Sequence, residues 1–378
     1  MKWKAHLTSI GCLAMSLMFT VCLLVFLGSN VALAGEKFEL VLETGLAQAH
    51  EQTWGGTGKP WTEGVTERTG GAVVFKNHFA GELVSMIDLI RGVGSGIIDV
   101  ASPFIGYYPS EFALEAVLGS LTYPPFTLGE PERMAITRIL YAELPAYKEA
   151  YRKRNVKKVF TISCPGWSVV SSVPIKTLSD FKGKKIRTFG TFIPKMFRSV
   201  GAVPVTVPFS DMPDALHKKI VDGTFINISN ARDMNLGEVA PHIVLLGPNG
   251  IPPHVMPYSY VINLDTWKKL PAEIKRIMLE EGKRIEMEYA FHSFREQMIA
   301  AKQMEKAGAT IHVISDADLK EWGSLCGDIE AEAAKVLDEK GLPGSKSLSL
   351  IKKYEKMAMP ELMMAFYEAW EKEFAMIE

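Results

Sequence analysis

Arg187 closes a run of cations, Lys182, Lys184, Lys185 and Arg187, that leads into the short apolar segment Ile186 to Phe189. An arginine stays charged and offers a planar fork of donors that grips a carboxylate through two parallel hydrogen bonds. If the segment is a strand, Lys185 and Arg187 share one face and Ile186 takes the other. Lys185, nearer the strand end, can then remain in water while Arg187 reaches inward. The competing reading of the same residues is an exposed basic turn.

Residue patterns for bond-making chemistry are missing by comparison. Gly58-Lys59 resembles the end of a phosphate-binding loop, but Pro60 stands where Ser or Thr is required. Gly92, Gly94 and Gly96 precede a strand-like run instead of following one, which removes the dinucleotide reading. His50-Glu51 has Trp54 where a metalloprotease helix needs its second His. No Cys-x-x-Cys or Gly-x-Ser-x-Gly occurs, and the eight histidines are scattered. The expectation is a binding protein and not an enzyme, with no cofactor and no metal site. Charge is nearly balanced, 42 Lys and Arg against 43 Asp and Glu, which argues against nucleic acid as a partner.

The first residues concern targeting. Lys2 and Lys4 precede an uncharged run from Ile10 to Gly28, and Ala32-Leu33-Ala34 has the small-x-small pattern of a cleavage site. Residues 1–34 are therefore expected to be a signal peptide, cut after Ala34, that sends the chain to the periplasm. The 19-residue run is also close to the ~20 residues that span a bilayer, so an uncleaved anchor is the alternative. Neither Cys12 nor Cys22 sits in a lipoprotein motif near the end of the run. Cys164 and Cys326 remain beyond it, and an oxidising compartment permits but does not require their pairing.

The elements that must position Arg187 alternate between strand and helix. Phe38–Leu42, Ala72–Phe75 and Ile97–Ala101 read as strands, with helices over Trp61–Thr69 and Glu82–Gly92. Val156–Ser163 is long enough to cross between domains. Ile186–Phe189, Val203–Val207 and Phe225–Ile228 then form a second sheet, with Ser259–Asn263 returning to the first. A helix runs from Ala272 to Ala307 with an interruption at Gly282, and the last, Ser347–Ile377, is broken or kinked at Pro360. The predicted class is α/β, with parallel strands. The expected domains are residues 35–162 with a return segment about 251–291, and 163–250 with about 292–346. Residues 347–378 form a C-terminal helix.

One stretch carries a family signature. It reads Pro174-Ile-Lys-Thr-Leu-Ser-Asp180-Phe-Lys-Gly183-Lys-Lys-Ile-Arg187, then Gly201-Ala-Val-Pro204-Val-Thr-Val-Pro208-Phe209, then Val221-Asp222-Gly223-Thr-Phe-Ile-Asn227. This resembles the solute-binding proteins of tripartite ATP-independent periplasmic (TRAP) transporters, the DctP family. Weaker landmarks follow in order along nearly the whole chain: Thr69-Gly70-Gly71, Gly81-Glu82-Leu83, Tyr123-Pro-Pro-Phe126, His254 and Trp267-Lys-Lys-Leu-Pro271.

The resemblance implies a two-domain periplasmic solute-binding fold with a ligand cleft between the domains and long C-terminal helices. It implies capture of a small organic acid, delivered to a small and a large integral membrane subunit. Arg187 becomes the carboxylate clamp, Asn227 an amide reaching the ligand, and Phe209 an aromatic lining the cleft. Many members that bind sugar acids carry a second arginine twenty residues before the clamp, and here that place is Trp167. An indole brings an apolar face and one N–H but no charge. With Phe189, Phe192, Phe225, Tyr107 and Tyr108 expected nearby, a single carboxylate on an apolar or aromatic body is the expected ligand. Glu82 and Ser102 lie in loops expected to face the cleft, although Glu82 also suits a helix N-terminus. His254 sits near the return crossover, where it holds either hinge or ligand. The alternatives are a ligand-binding protein that feeds a sensor, and an exported enzyme on the same fold.

Overall fold

The computed structural model describes residues 36–118, 124, 129–164, 166–247 and 255–377. The expected signal peptide 1–34, His254 and all of the Tyr123–Phe126 landmark but Pro124 lie outside the described residues. The strands are β1 (Phe38–Glu43), β2 (Val73–His78), β3 (Val100–Ala101), β4 (Val156–Cys164), β5 (Trp167–Ser171), β6 (Lys185–Thr188), β7 (Val203–Thr206), β8 (Gly223–Asn227), β9 (His242–Leu245), β10 (Val255–Asn263) and β11 (Thr310–Val313). They form two sheets, ordered β2-β1-β3-β10-β4 and β11-β9-β5-β8-β6-β7.

The α/β class holds, but each sheet mixes strand directions. β1 pairs in parallel with β2 and β3, whereas β10 is antiparallel to both β3 and β4. In the second sheet β6 lies parallel to β7 and β8, while β5 is antiparallel to β8 and β9. The reason is the chain path. β4 leaves the first sheet and β10 comes back into it, so these neighbours must run in opposite senses.

Three expected helices differ in detail. Glu82–Gly92 is not one helix, because the chain turns through Ala80 (φ 58°) and Gly81 (φ 78°) and becomes α-helical only at Leu89–Gly94. The buried Glu43 carboxylate accepts from the backbone N–H groups of Gly81 and Leu83, both at 3.1 Å, and so holds this loop in place. The helix Ala272–Lys306 passes through Gly282 without interruption. A Cβ there would lie 2.9 Å from the Phe160 Cβ, so the glycine serves close packing of helix on β4 and not a stop. At the C-terminus there are two helices, Gly344–Tyr354 and Met359–Phe374. Pro360 sits in the first turn of the second, where its missing N–H costs nothing.

The 35-residue helix Ala272–Lys306 extends about 52 Å and ties both sheets together. Near its start the Met278 carbonyl accepts from the Trp61 indole N–H at 3.1 Å. Further along, the Gln297 side-chain oxygen accepts from the N–H groups of Ile228 (2.7 Å) and Ser229 (3.2 Å). The short helix Ile228–Asp233 behind β8 is thereby fixed to the same rod as the first sheet.

Candidate ligand-binding cleft

β6 presents Arg187. The Asp222 carboxylate accepts from the Lys185 N–H at 2.7 Å and fastens the strand entry to the turn before β8. The parallel register then sets Arg187 beside Val205 on one side and Thr224 on the other. Lys185 is half-buried and donates to the Lys219 carbonyl at 2.9 Å near the surface, while Arg187 is only 3% exposed.

The Arg187 side chain is a buried cation without an anion. Its Nε donates to the Val207 carbonyl at 3.0 Å, and Nη1 makes a long contact of 3.5 Å with the Phe225 carbonyl. No carboxylate among the described residues pairs with it. Burial pulls its pKa down to about 10, and only the nearby Tyr107 phenol pushes the other way. Taking a charge out of water costs several kcal/mol unless an opposite charge repays it. A carboxylate that entered the cleft would repay it.

Arg187 faces a tight cavity of about 20 Å3, little more than the room one water needs. One wall comes from the second sheet and its loops: Trp167, Arg187, Phe189, Phe209 and Asn230. Leu46, Met86, Phe104, Tyr107 and Tyr258 form the other, with Cys164 at the end of β4 between the two. The rings meet across the gap, with Phe104 and Phe189 centroids 6.2 Å apart. Trp167 lies 4.6 Å from Phe189 and Phe104 lies 5.0 Å from Tyr258. The cavity widens into an apolar mouth beside Ile87 and Pro208.

The Trp167 indole N–H is directed at the Cys164 sulfur, 3.1 Å away. Its single donor is therefore spent, and the cavity meets its ring as apolar surface. Cys164 and Cys326 are not joined in a disulfide, and the second lies beside the Ser199 hydroxyl at 3.3 Å.

Of the residues singled out from the sequence, Arg187, Trp167 and Phe209 lie on the cavity wall. Asn227 lies beneath it. It is fully buried and caps the helix Ile228–Asp233, its side-chain oxygen accepting from the Asn230 N–H at 2.8 Å. Its amide nitrogen is buried with no hydrogen-bond partner among the described residues. Glu82 projects into solvent and pairs with His78 at 2.9 Å, and the buried acid that holds the loop is Glu43 at the end of β1. Ser102 is buried but not on the wall. Of the aromatic set, Tyr107 and Phe189 line the cavity. Phe225 supports Trp167 from below at 5.4 Å, and the Tyr108 hydroxyl donates to the Met86 carbonyl at 2.9 Å.

Phe104, Tyr258 and Asn230 escaped the sequence reading. Phe104 and Tyr258 form an isolated bridge between separate parts of the first lobe, which no local spacing shows. Asn230 carried a signal: it stands three residues after Asn227, the spacing of a cap and the N–H it receives. Among the described residues no group of three or more His, Cys, Asp or Glu could hold a metal ion.

The description that fits this arrangement is also the one that sequence and structure comparisons return. The family model for DctP, bacterial extracellular solute-binding protein family 7, matches residues 45–335. A solute-binding protein of Sulfitobacter sp. (strain NAS-14.1) is 23% identical over 276 residues, covering 73% of this chain and 81% of its own. The crystal structure of a TRAP solute-binding protein from an unidentified marine microbe, specific for aromatic acid ligands and complexed with metahydroxyphenylacetate, superposes with TM-score 0.73 at 21% identity. That match covers 84% of this chain and 98% of that one. A TRAP periplasmic solute-binding protein from Sulfitobacter sp. NAS-14.1 with bound galacturonate gives TM-score 0.68 at 19% identity, covering 83% of this chain and 99% of its own. The same fold thus holds an aromatic acid in one protein and a sugar acid in another. With most of its length matched, this chain belongs to the bacterial extracellular solute-binding protein family 7, the DctP family of TRAP-transporter solute-binding proteins.

Proposed function

We propose that the protein captures a small monocarboxylate with an apolar or aromatic body and hands it to small and large integral membrane subunits for uptake. The observation that carries this reading is Arg187: a buried guanidinium with unused donors and no anionic partner among the described residues, facing a ring-lined cavity. Trp167 supports the same choice, because its N–H is already committed and no second cation among the described residues stands beside Arg187 on the wall. A dicarboxylate would leave one charged group against apolar rings, at a desolvation cost of several kcal/mol.

The lobes that carry the two sheets act as the halves of a clamp, joined by the β4–β5 crossing and the β10 return. Ligand bridging the walls excludes water, and lower polarity strengthens the pairing with Arg187. No step of bond chemistry is assigned to the solute. The test is a thermal-shift screen of organic acids in which benzoate and hydroxybenzoates compete against succinate and galacturonate. Aromatic monocarboxylates should raise the melting temperature of the wild type and leave folded Arg187→Ala unchanged. Stabilisation that survives in Arg187→Ala, or a preference for succinate, sinks the reading.

A further inference from the structure

We infer that His50 and Asn230 form a latch across the cleft that also turns the Asn230 amide into a second donor for the ligand carboxylate. The donor half of this inference rests on the carboxylate reading above, while the latch half stands on geometry alone. His50 lies in the first lobe, just before the turn Glu51–Gly55, and Asn230 in the helix Ile228–Asp233 of the second. Their side chains meet at 2.9 Å, Nε2 of the ring against Oδ1 of the amide.

Backbone geometry decides which atom donates. The Thr53 N–H points at His50 Nδ1 from 3.4 Å, and a backbone N–H can only donate. Nδ1 is therefore the accepting nitrogen of a neutral imidazole, and Nε2 carries the proton. Burial favours that neutral ring, lowering the His50 pKa against the opposing pull of Asn230 and Asp233. A protonated Nε2 needs an acceptor, so Asn230 turns its oxygen to His50 and its NH2 away from it.

The freed NH2 has no partner among the described residues, and the Asn230 side chain is part of the cavity wall that includes Arg187. The site therefore combines the spare donors of a guanidinium with those of an amide, and both call for an acceptor. Asn230 is itself held from behind, its backbone N–H by Asn227 and its helix by Gln297. His50 is a positioning residue in this scheme: it touches no ligand, sets the amide, and does so only when the lobes are closed.

Two readouts on the full-length protein separate the latch from the donor. The first is hydrogen–deuterium exchange without ligand. His50→Ala should speed exchange in residues 228–233 of the opposite lobe, and Asn230→Ala should do the same for residues 50–57. His50→Gln, whose amide can still donate, should restore part of the protection. If His50→Ala leaves residues 228–233 as protected as in the wild type, the latch is overturned.

The second readout is benzoate titration by calorimetry. Asn230→Asp keeps the acceptor for His50 but replaces the NH2 with a negative oxygen. It should retain the exchange protection and lose at least tenfold in benzoate affinity. His50→Ala and Asn230→Ala should each weaken benzoate, and the double variant should be no weaker than Asn230→Ala alone. Wild-type affinity in Asn230→Asp overturns the donor role. A wild type that binds no carboxylate overturns the capture reading and the donor role with it, and exchange still judges the latch.

Discussion

Two arginines are buried among the described residues, and they are buried in opposite ways. Arg138, in the helix Glu130–Glu143, has its Nε 3.2 Å from one Glu286 oxygen and its Nη2 against the other. The Trp370 ring lies 3.9 Å from its guanidinium. Glu286 also accepts from the Thr161 N–H (2.6 Å) and the Trp370 indole (3.0 Å). Burial alone would lower the Arg138 pKa, but Glu286 outweighs it and the pKa rises above the ordinary value. Arg187 is as well hidden and has its pKa pulled down instead, because no carboxylate among the described residues answers it. A charge that holds a fold together comes with its partner. Arg187, on the cavity wall, has none among the described residues.

The comparison can be broken first at the paired site. Arg138→Met should cost about 3–5 kcal/mol of unfolding free energy, since Glu286 is left as an uncompensated buried charge. Urea denaturation checks this, and Arg138→Met combined with Glu286→Leu should recover much of the loss. Arg187→Met should behave in reverse. Benzoate affinity should fall by about 2–4 kcal/mol, the loss of a charge-assisted pair, while the ligand-free protein is no less stable than wild type. Equal destabilisation by the two substitutions would erase the distinction.

Acid should act on the paired region and spare the other. Burial pushes the Glu373 carboxyl up, but Lys157 and Lys148 (3.0 Å) outweigh burial and hold it at about 2, below its ordinary 4.5. A depressed folded-state pKa gives stability that is present above 4.5 and is lost as pH falls toward 2. The contribution is about 1–3 kcal/mol, discounted because burial lowers the pKa of Lys157 itself. Glu373→Gln should flatten this part of the pH–stability curve measured by thermal unfolding. The smallest effect belongs to Asn227→Ala, about 1 kcal/mol for a lost helix cap. A matching Asn227→Ser retains an accepting oxygen and lacks the amide N–H. If its stability holds while benzoate affinity falls, the Asn227 amide reaches the ligand as well.

Much of the site was legible in the chain because strand alternation is local. Placing Arg187 inward from Lys185 needs only period-two geometry. The lack of a second cation at Trp167 is a fact of residue type. What was not legible depended on distant partners. Gly282 resembles a helix stop until Phe160 is seen packed against it. Glu82 attracts attention as the acid in a loop beside the cleft, while Glu43, far earlier in the chain, binds that loop's amides. His50-Glu51 lacks the second His of a metal motif, and the partner that gives His50 its place, Asn230, lies 180 residues away.

The residues alone were enough to establish the α/β class and the family, and to single out Arg187, since periodicity, turn chemistry and motif order are all written along one dimension. Only the tertiary structure decided that Arg187 has no counter-charge among the described residues, that the Trp167 N–H is already taken, and that Asn230 stands on the cavity wall with Asn227 beneath it. Each of these depends on whether a particular donor has met an acceptor. Pairing of that kind is a property of atoms brought together from distant parts of the chain.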